Sequence, residues 1–108
     1  MYQLIYVSSA IAHFARPDFM DLALHVSTKN VQLGVTGMLV FKEGNFMQVL
    51  EGDEAVVKAL YDKIEKDSRH TLVSVLHQGE ITIREYGGWA MTFFNSETGQ
   101  YDHFSYPS

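Results

Sequence analysis

Residues Gly34–Gly52 read GVTGMLVFKEGNFMQVLEG. Two apolar runs, Thr36–Phe41 and Asn45–Glu51, flank Lys42, Glu43 and Gly44, a pattern that predicts a β-hairpin. Because the runs are nearly continuous in Met, Leu, Val and Phe, both faces of these strands are expected to be buried. One residue does not fit. Gln48 sits in the middle of the second run, and an amide buried there costs about 1–3 kcal/mol unless it finds hydrogen-bond partners. The rest of the chain must supply them.

The chain has 108 residues, enough for one domain with a sizeable core. A hydrophobic content of 46% with 19% charged residues is ordinary for a globular protein. The net charge of −5, with no Lys/Arg cluster, argues against a nucleic-acid or anionic-membrane partner. The absence of cysteine excludes disulfides, thiolate metal sites, cysteine nucleophiles and photochemistry through a cysteinyl–flavin adduct. No histidine spacing suggests a metal, and none is assigned. The first residues show neither a basic leader nor a long apolar run, so a cytoplasmic protein with no signal peptide or membrane span is expected.

Outward from the hairpin, Tyr2–Ser8 predicts a first strand, with Leu4, Tyr6 and Ser8 on one face and Ile5 and Val7 on the other. After a loop at residues 9–15, Pro17 and Asp18 predict the start of a helix running to about Lys29 or Asn30. Its apolar stripe, Phe19, Leu22, Ala23 and Val26, leads by one more step of four to Asn30. On the other side, Glu51–Glu54 predicts a turn with Asp53 as N-cap, then a helix at about Glu54–Asp67 that buries Val57, Leu60, Tyr61 and Ile64. Thr71–His77 and Trp89–Phe94 predict two more strands, residues 79–86 are ambiguous between strand and loop, and residues after 95 show no period.

The order β-α-β-β-α-β-β predicts an α+β, ferredoxin-like sandwich with two helices on one face of a mixed sheet. Residues 1–95 form the expected domain, and 96–108 a C-terminal tail or the start of a longer region. The face away from the helices is expected to carry Ile5, Val7, Leu39, Phe41, Met47 and Val49, an apolar surface for a second copy or an effector. On the helix face, strand parity gathers Tyr6, Gln48, Asn30 and Trp89 or Met91. A phenol, two amides, an indole and a thioether together suit a planar heteroaromatic ligand with donors and acceptors on its edge. Taken singly they are bland. Tyr6 reads as a surface strand tyrosine, Asn30 as a helix-end residue, and Trp89 and Met91 as core.

The motifs LIYVSS at Leu4–Ser9, Asn30 followed by GVTGMLVF, GNFMQVLEG, DSRH at Asp67–His70 and WAM at Trp89–Met91 resemble the BLUF family of flavin-using blue-light sensors over residues 2–94. Tyr6, Asn30, Gln48 and Trp89 follow one another at intervals of 24, 18 and 41 residues, and the combination is far more specific than any one motif. The resemblance implies non-covalent flavin, FAD or alternatively FMN, lying between the two helices. It implies that Tyr6 gives an electron and then a proton to the photoexcited flavin, and that Gln48 bridges this phenol to flavin N5 and O4. Asn30 would hold the pyrimidine edge, and Trp89 and Met91 would exchange places near the glutamine. Arg69 and His70, with Lys63 and Asp67, would lie toward the ribityl and phosphate portion. Lys29 stands where many members carry a second polar flavin contact, often Asn, and Gly87-Gly88 replaces bulkier residues.

The resemblance implies a sensor, not an enzyme, that signals through oligomer rearrangement, a partner or an effector domain. The family includes short stand-alone sensors as well as sensors fused to, or regulating, a nucleotide cyclase or phosphodiesterase. Two other readings compete: a colourless ferredoxin-like regulatory or interaction domain, and a small acylphosphatase-like hydrolase. The hydrolase would need an arginine in an anion-cradling loop after Ser8, where the first arginine is Arg16.

Overall fold

The computed structural model describes residues 1–10, 16–42, 44–67, 70–85, 89–95 and 99–105. The elements are β1 (Tyr2–Ala10), α1 (Arg16–Leu33), β2 (Thr36–Lys42), β3 (Asn45–Gly52), α2 (Glu54–Glu65), β4 (His70–Glu80), β5 (Trp89–Asn95) and β6 (Gln100–Ser105). They form one sheet in the order β4-β1-β3-β2-β5-β6. The first four strands pair antiparallel, the ferredoxin-like arrangement, while β5 runs parallel to β2. The α+β, ferredoxin-like class with a mixed sheet is therefore the one observed.

The core lies between sheet and helices. Leu4, Tyr6 and Leu50 from the central strands pack with Val35 and with Val57 and Leu60 of α2. Tyr61 and Ile64 pack at its margin, as the period of α2 predicts. Asp53 caps α2, its carboxylate accepting the Val56 N–H at 3.4 Å. The side chains of Phe19, Leu22 and Ala23, on the predicted stripe of α1, lie outside the described residues. Among the described residues, no helix is long and apolar enough to cross a membrane.

The structure departs from the sequence reading at several places. Helix α1 continues past Asn30 to Leu33. It stops at Gly34, whose φ of +68° is the left-handed conformation that ends a helix without steric cost. The Val35 N–H donates to the Asn30 carbonyl and the Gly34 N–H to the Val31 carbonyl, the paired bonds of a Schellman cap. Asn30 is thus the last buried polar residue inside the helix rather than its terminator. Helix α2 ends at Glu65, two residues short of Asp67. Ser9 belongs to β1 and not to a loop, β4 runs on to Glu80, and the stretch without visible period contains β6, an antiparallel partner of β5.

The faces of β2 are also corrected. Lys42 pairs with Asn45, so two residues join the hairpin strands, not the three expected. One residue of loop length reverses the facing of a whole strand. Leu39 pairs with Gln48 and Phe41 with Phe46, which puts both on the helix side. The face away from the helices is made instead by Ile5, Val7, Met38, Val40, Met47 and Val49.

Gly37 lies opposite Leu50 in the hairpin, where a Cβ would run into the Val49 carbonyl. Gly37→Ala should therefore cost about 3 kcal/mol or more through overpacking against backbone. Urea denaturation measures it, and a loss below about 1 kcal/mol would show that the strands can separate there without penalty.

Candidate functional site

The antiparallel register of β1 and β3 sets Tyr6 directly opposite Gln48. Residues so paired share a face and hold their Cβ atoms about 5 Å apart. Both are inner strands facing the helices, and Tyr6 and Gln48 are only 3% and 2% exposed. The Tyr6 hydroxyl donates to Gln48 Oε1. That bond answers half of the question the amide poses. The other half stays open, because Gln48 Nε2 is buried with no hydrogen-bond partner among the described residues.

Gln48 lines a cavity of about 270 Å³ between the two helices. Helix α1 contributes His25, Val26, Lys29 and Asn30, and the α2 end of the cavity is lined by Leu60, Lys63, Ile64 and Asp67. The Schellman bond to the Asn30 carbonyl fixes the turn that brings its carboxamide, 1% exposed, to this wall. Two buried amides and apolar side chains thus form the floor, while His25, Lys29, Lys63 and Asp67 ring the wetter part. The helices lie on the same side of the sheet as Tyr6 and Gln48, as strand parity predicts.

Tyr6 does not line the cavity itself but stands behind Gln48, with the Tyr61 ring of α2 tilted 59° against it at a centroid distance of 5.6 Å. Burial pushes the Tyr6 phenol well above the ordinary tyrosine range, and the nearby Tyr61 and Asp67 charges raise it further. The site therefore holds a neutral phenol at any physiological pH, with its proton already directed at an amide oxygen.

Of the residues expected to serve the site, Asn30, Gln48, Lys29, Lys63 and Asp67 are brought together in one cavity, with Tyr6 bonded to it from behind. Arg69 lies outside the described residues. His70 begins β4, and its side chain is also outside them. Trp89 and Met91 are in β5, separated from β3 by β2, and their side chains too lie outside the described residues. The β5–β6 pairing shifts register between Trp89 and Met91, where the sequence reading assumed simple alternation. His25 was missed. Its signal was helical spacing, one turn before Lys29 on the same face of α1.

A second cavity, about 360 Å³, lies at the other side of the sheet against Val7, Val40, Met47 and the exposed Leu72. It is larger, but Gln48 and Asn30 do not line it.

A ferredoxin-like sandwich that opens a buried phenol–amide pair onto a cavity between its helices has the architecture of a small sensor domain. The chain belongs to the BLUF family: residues 1–92 match the family described as sensors of blue-light using FAD. Among relatives, it is 36% identical over 95 residues to the photoactivated adenylate cyclase subunit beta of Euglena longa, covering 87% of this chain and 11% of that one. Among solved structures, BlrP1 of Klebsiella pneumoniae, in a complex with manganese and cyclic diGMP, superposes with a TM-score of 0.83 at 32% identity, over 92% of this chain and 25% of that chain. The dark-state structure of BlrB, a BLUF protein, gives a TM-score of 0.80 at 26% identity over 85% of this chain and 70% of that one. The chain spans about a tenth of the length of the cyclase subunit it matches.

The raised Tyr6 value has a definite sign. The unfolded phenol, near 10, loses its proton before the folded one does, so this contribution to stability is complete below about pH 10 and is lost as pH rises beyond it. Ultraviolet titration of the parent minus Tyr6→Phe should show no phenolate from Tyr6 below about pH 11 while the protein stays folded. A midpoint near 10 in that difference would show a solvated phenol.

Proposed function

We propose that this chain is a blue-light sensor that holds FAD, or alternatively FMN, non-covalently in the cavity between α1 and α2, with the isoalloxazine against Gln48 and Asn30. The observation that carries the reading is the buried Gln48 Nε2, a donor with no acceptor among the described residues, on a wall whose other end is tied to a phenol. Leaving such a donor unmet costs about 1–3 kcal/mol, which an acceptor on a ring edge would offset. The residues present therefore fit a planar heteroaromatic group. Bound flavin supplies absorption of blue light and an excited state that accepts an electron.

The protein's own groups govern the response to light. Tyr6 is kept neutral by burial, so loss of an electron is coupled to departure of its proton along the existing bond to Gln48. Gln48 has an acceptor end and a donor end, so rotation or tautomerisation changes which partner each end serves without moving the strand. Asn30, on α1, would hold the pyrimidine edge of the ring. Lys29, Lys63 and Asp67 meet the polar parts of the cofactor where the cavity opens, joined by Arg69 and His70 for the ribityl and phosphate portion. One altered hydrogen bond is worth about 0.5–1.5 kcal/mol. Reversing a 99:1 population needs about 5.5 kcal/mol, so the switch also recruits the strand bearing Trp89 and Met91.

The chain acts as a sensor and regulates by contact. The face of Ile5, Val7, Met38, Val40 and Met47, with its apolar cavity beside Leu72, is where a second copy or an effector would dock. The curated relative of cyclase type and the BlrP1 structure support an effector fused or recruited to such a domain.

A light-minus-dark absorption spectrum of the FAD-loaded protein tests the reading. The expected result is a small, reversible red shift that is abolished in Tyr6→Phe and in Gln48→Ala, with the protein remaining yellow. Protein that stays colourless after reconstitution, or that bleaches without returning in darkness, would overturn it.

A further inference from the structure

Strand β4 lies at one edge of the sheet and β5 beyond β2, so the chain must cross the ends of β1, β3 and β2 between them. Residues 81–85 begin that crossing and are bonded to the elements they pass. The Ile81 N–H donates to the Met1 carbonyl at 2.9 Å, and the Glu85 N–H to Glu51 Oε2 at 3.0 Å. One Arg84 guanidinium nitrogen donates to Thr36 Oγ1 at 2.9 Å and to the Glu51 carbonyl at 3.0 Å, and the other to the Gly34 carbonyl at 2.9 Å.

Glu51 is the centre of this arrangement. Its sequence context, ahead of Gly52 and Asp53, predicts a turn, yet it lies in β3 and is 0% exposed. Besides the Glu85 N–H, its carboxylate accepts from Gln3 Nε2 at 2.9 Å, with the Thr36 hydroxyl at 3.5 Å. Gln3 and Thr36 are its register partners on β1 and β2. A carboxylate withdrawn from water is a costly way to close a sheet end, where an apolar residue would pack without that penalty. What it provides is a fixed geometry between three strands and the crossing segment.

We propose that Glu51 and Arg84 are positioning residues that set where β5 enters the sheet, and so hold the strand bearing Trp89 and Met91 in step with the strand bearing Gln48. Glu51 is three residues from Gln48, about 10 Å along β3. Glu85, bonded to it, is four residues from Trp89. Gly34, which receives Arg84, is four residues from Asn30 on the other cavity wall. Strand β3, which carries Gln48, and the turn that ends α1, which carries Asn30, are therefore each hydrogen-bonded to the crossing segment. The effect on the light response rests on the flavin reading, whereas the positioning of β5 does not.

The test is amide hydrogen exchange on the full chain, with and without FAD, together with the time for the light-induced shift to decay in darkness. Arg84→Ala should raise exchange across Trp89–Asn95 about fivefold or more while leaving α2 unchanged, and should shorten the dark return at least about threefold. Arg84→Lys, which keeps the charge but not the three-way fork, should restore part of both. Glu51→Gln should move both in the same direction as Arg84→Ala, and carries the comparison if Arg84→Ala does not fold cooperatively. Unchanged β5 exchange, even with a lowered melting temperature, would overturn the proposal. A parent protein without any light-induced shift would refute the flavin reading, and the exchange measurement would still decide the role of Glu51 and Arg84.

Discussion

The structure depends on one buried hydrogen bond, from Tyr6 to Gln48 across the pairing of β1 with β3. Both strands are interior to the sheet, and both side chains face the helices and are almost fully buried. Phenol and amide are tolerable there because each meets one need of the other. The register that joins them is the register that buries Leu4 against Leu50. A slip by one residue would expose the core face and separate the pair together. The burial of the core and the pairing of phenol with amide thus impose the same alignment.

Strand β3 serves the two sides of the sheet differently. Gln48 looks toward the helices and the cavity, while Glu51, three residues on, shares the other face with Gln3 and Thr36. The first residue has an amide nitrogen with no hydrogen-bond partner among the described residues. The second is met by the crossing segment, so part of the face away from the helices is closed by residues 81–85. What remains open lies toward Val7, Val40 and Met47, at the end of the sheet where Leu72 is 77% exposed.

Much of this was legible in the sequence because a polar residue in an apolar run is conspicuous. Gln48 announced itself, Asp53 had the context of an N-cap, and alternation in β1 placed Tyr6 correctly. The facing of β2 was not legible, since it turns on whether two or three residues join the hairpin, which composition does not decide. Asn30 drew attention as the end of a stripe, and the stronger stop signal, Gly34, lay one turn later. Glu51 and Arg84 were hidden for a different reason. A carboxylate before Gly-Asp and an arginine in an aperiodic stretch both look solvated, and only the crossing of the chain from β4 to β5 brings them together. Strand β6 escaped because its polar and aromatic residues show no period, so pairing to β5 is what defines it.

The central claim is that one Gln48 amide joins Tyr6 to the bound flavin. Its most direct test is the side-chain amide resonance of Gln48 in protein labelled with nitrogen-15, tracked through FAD addition and then blue light. The Nε2 protons should shift on FAD binding, as they gain an acceptor, and shift again on illumination only while Tyr6 is present. A resonance that is the same with and without FAD would contradict it.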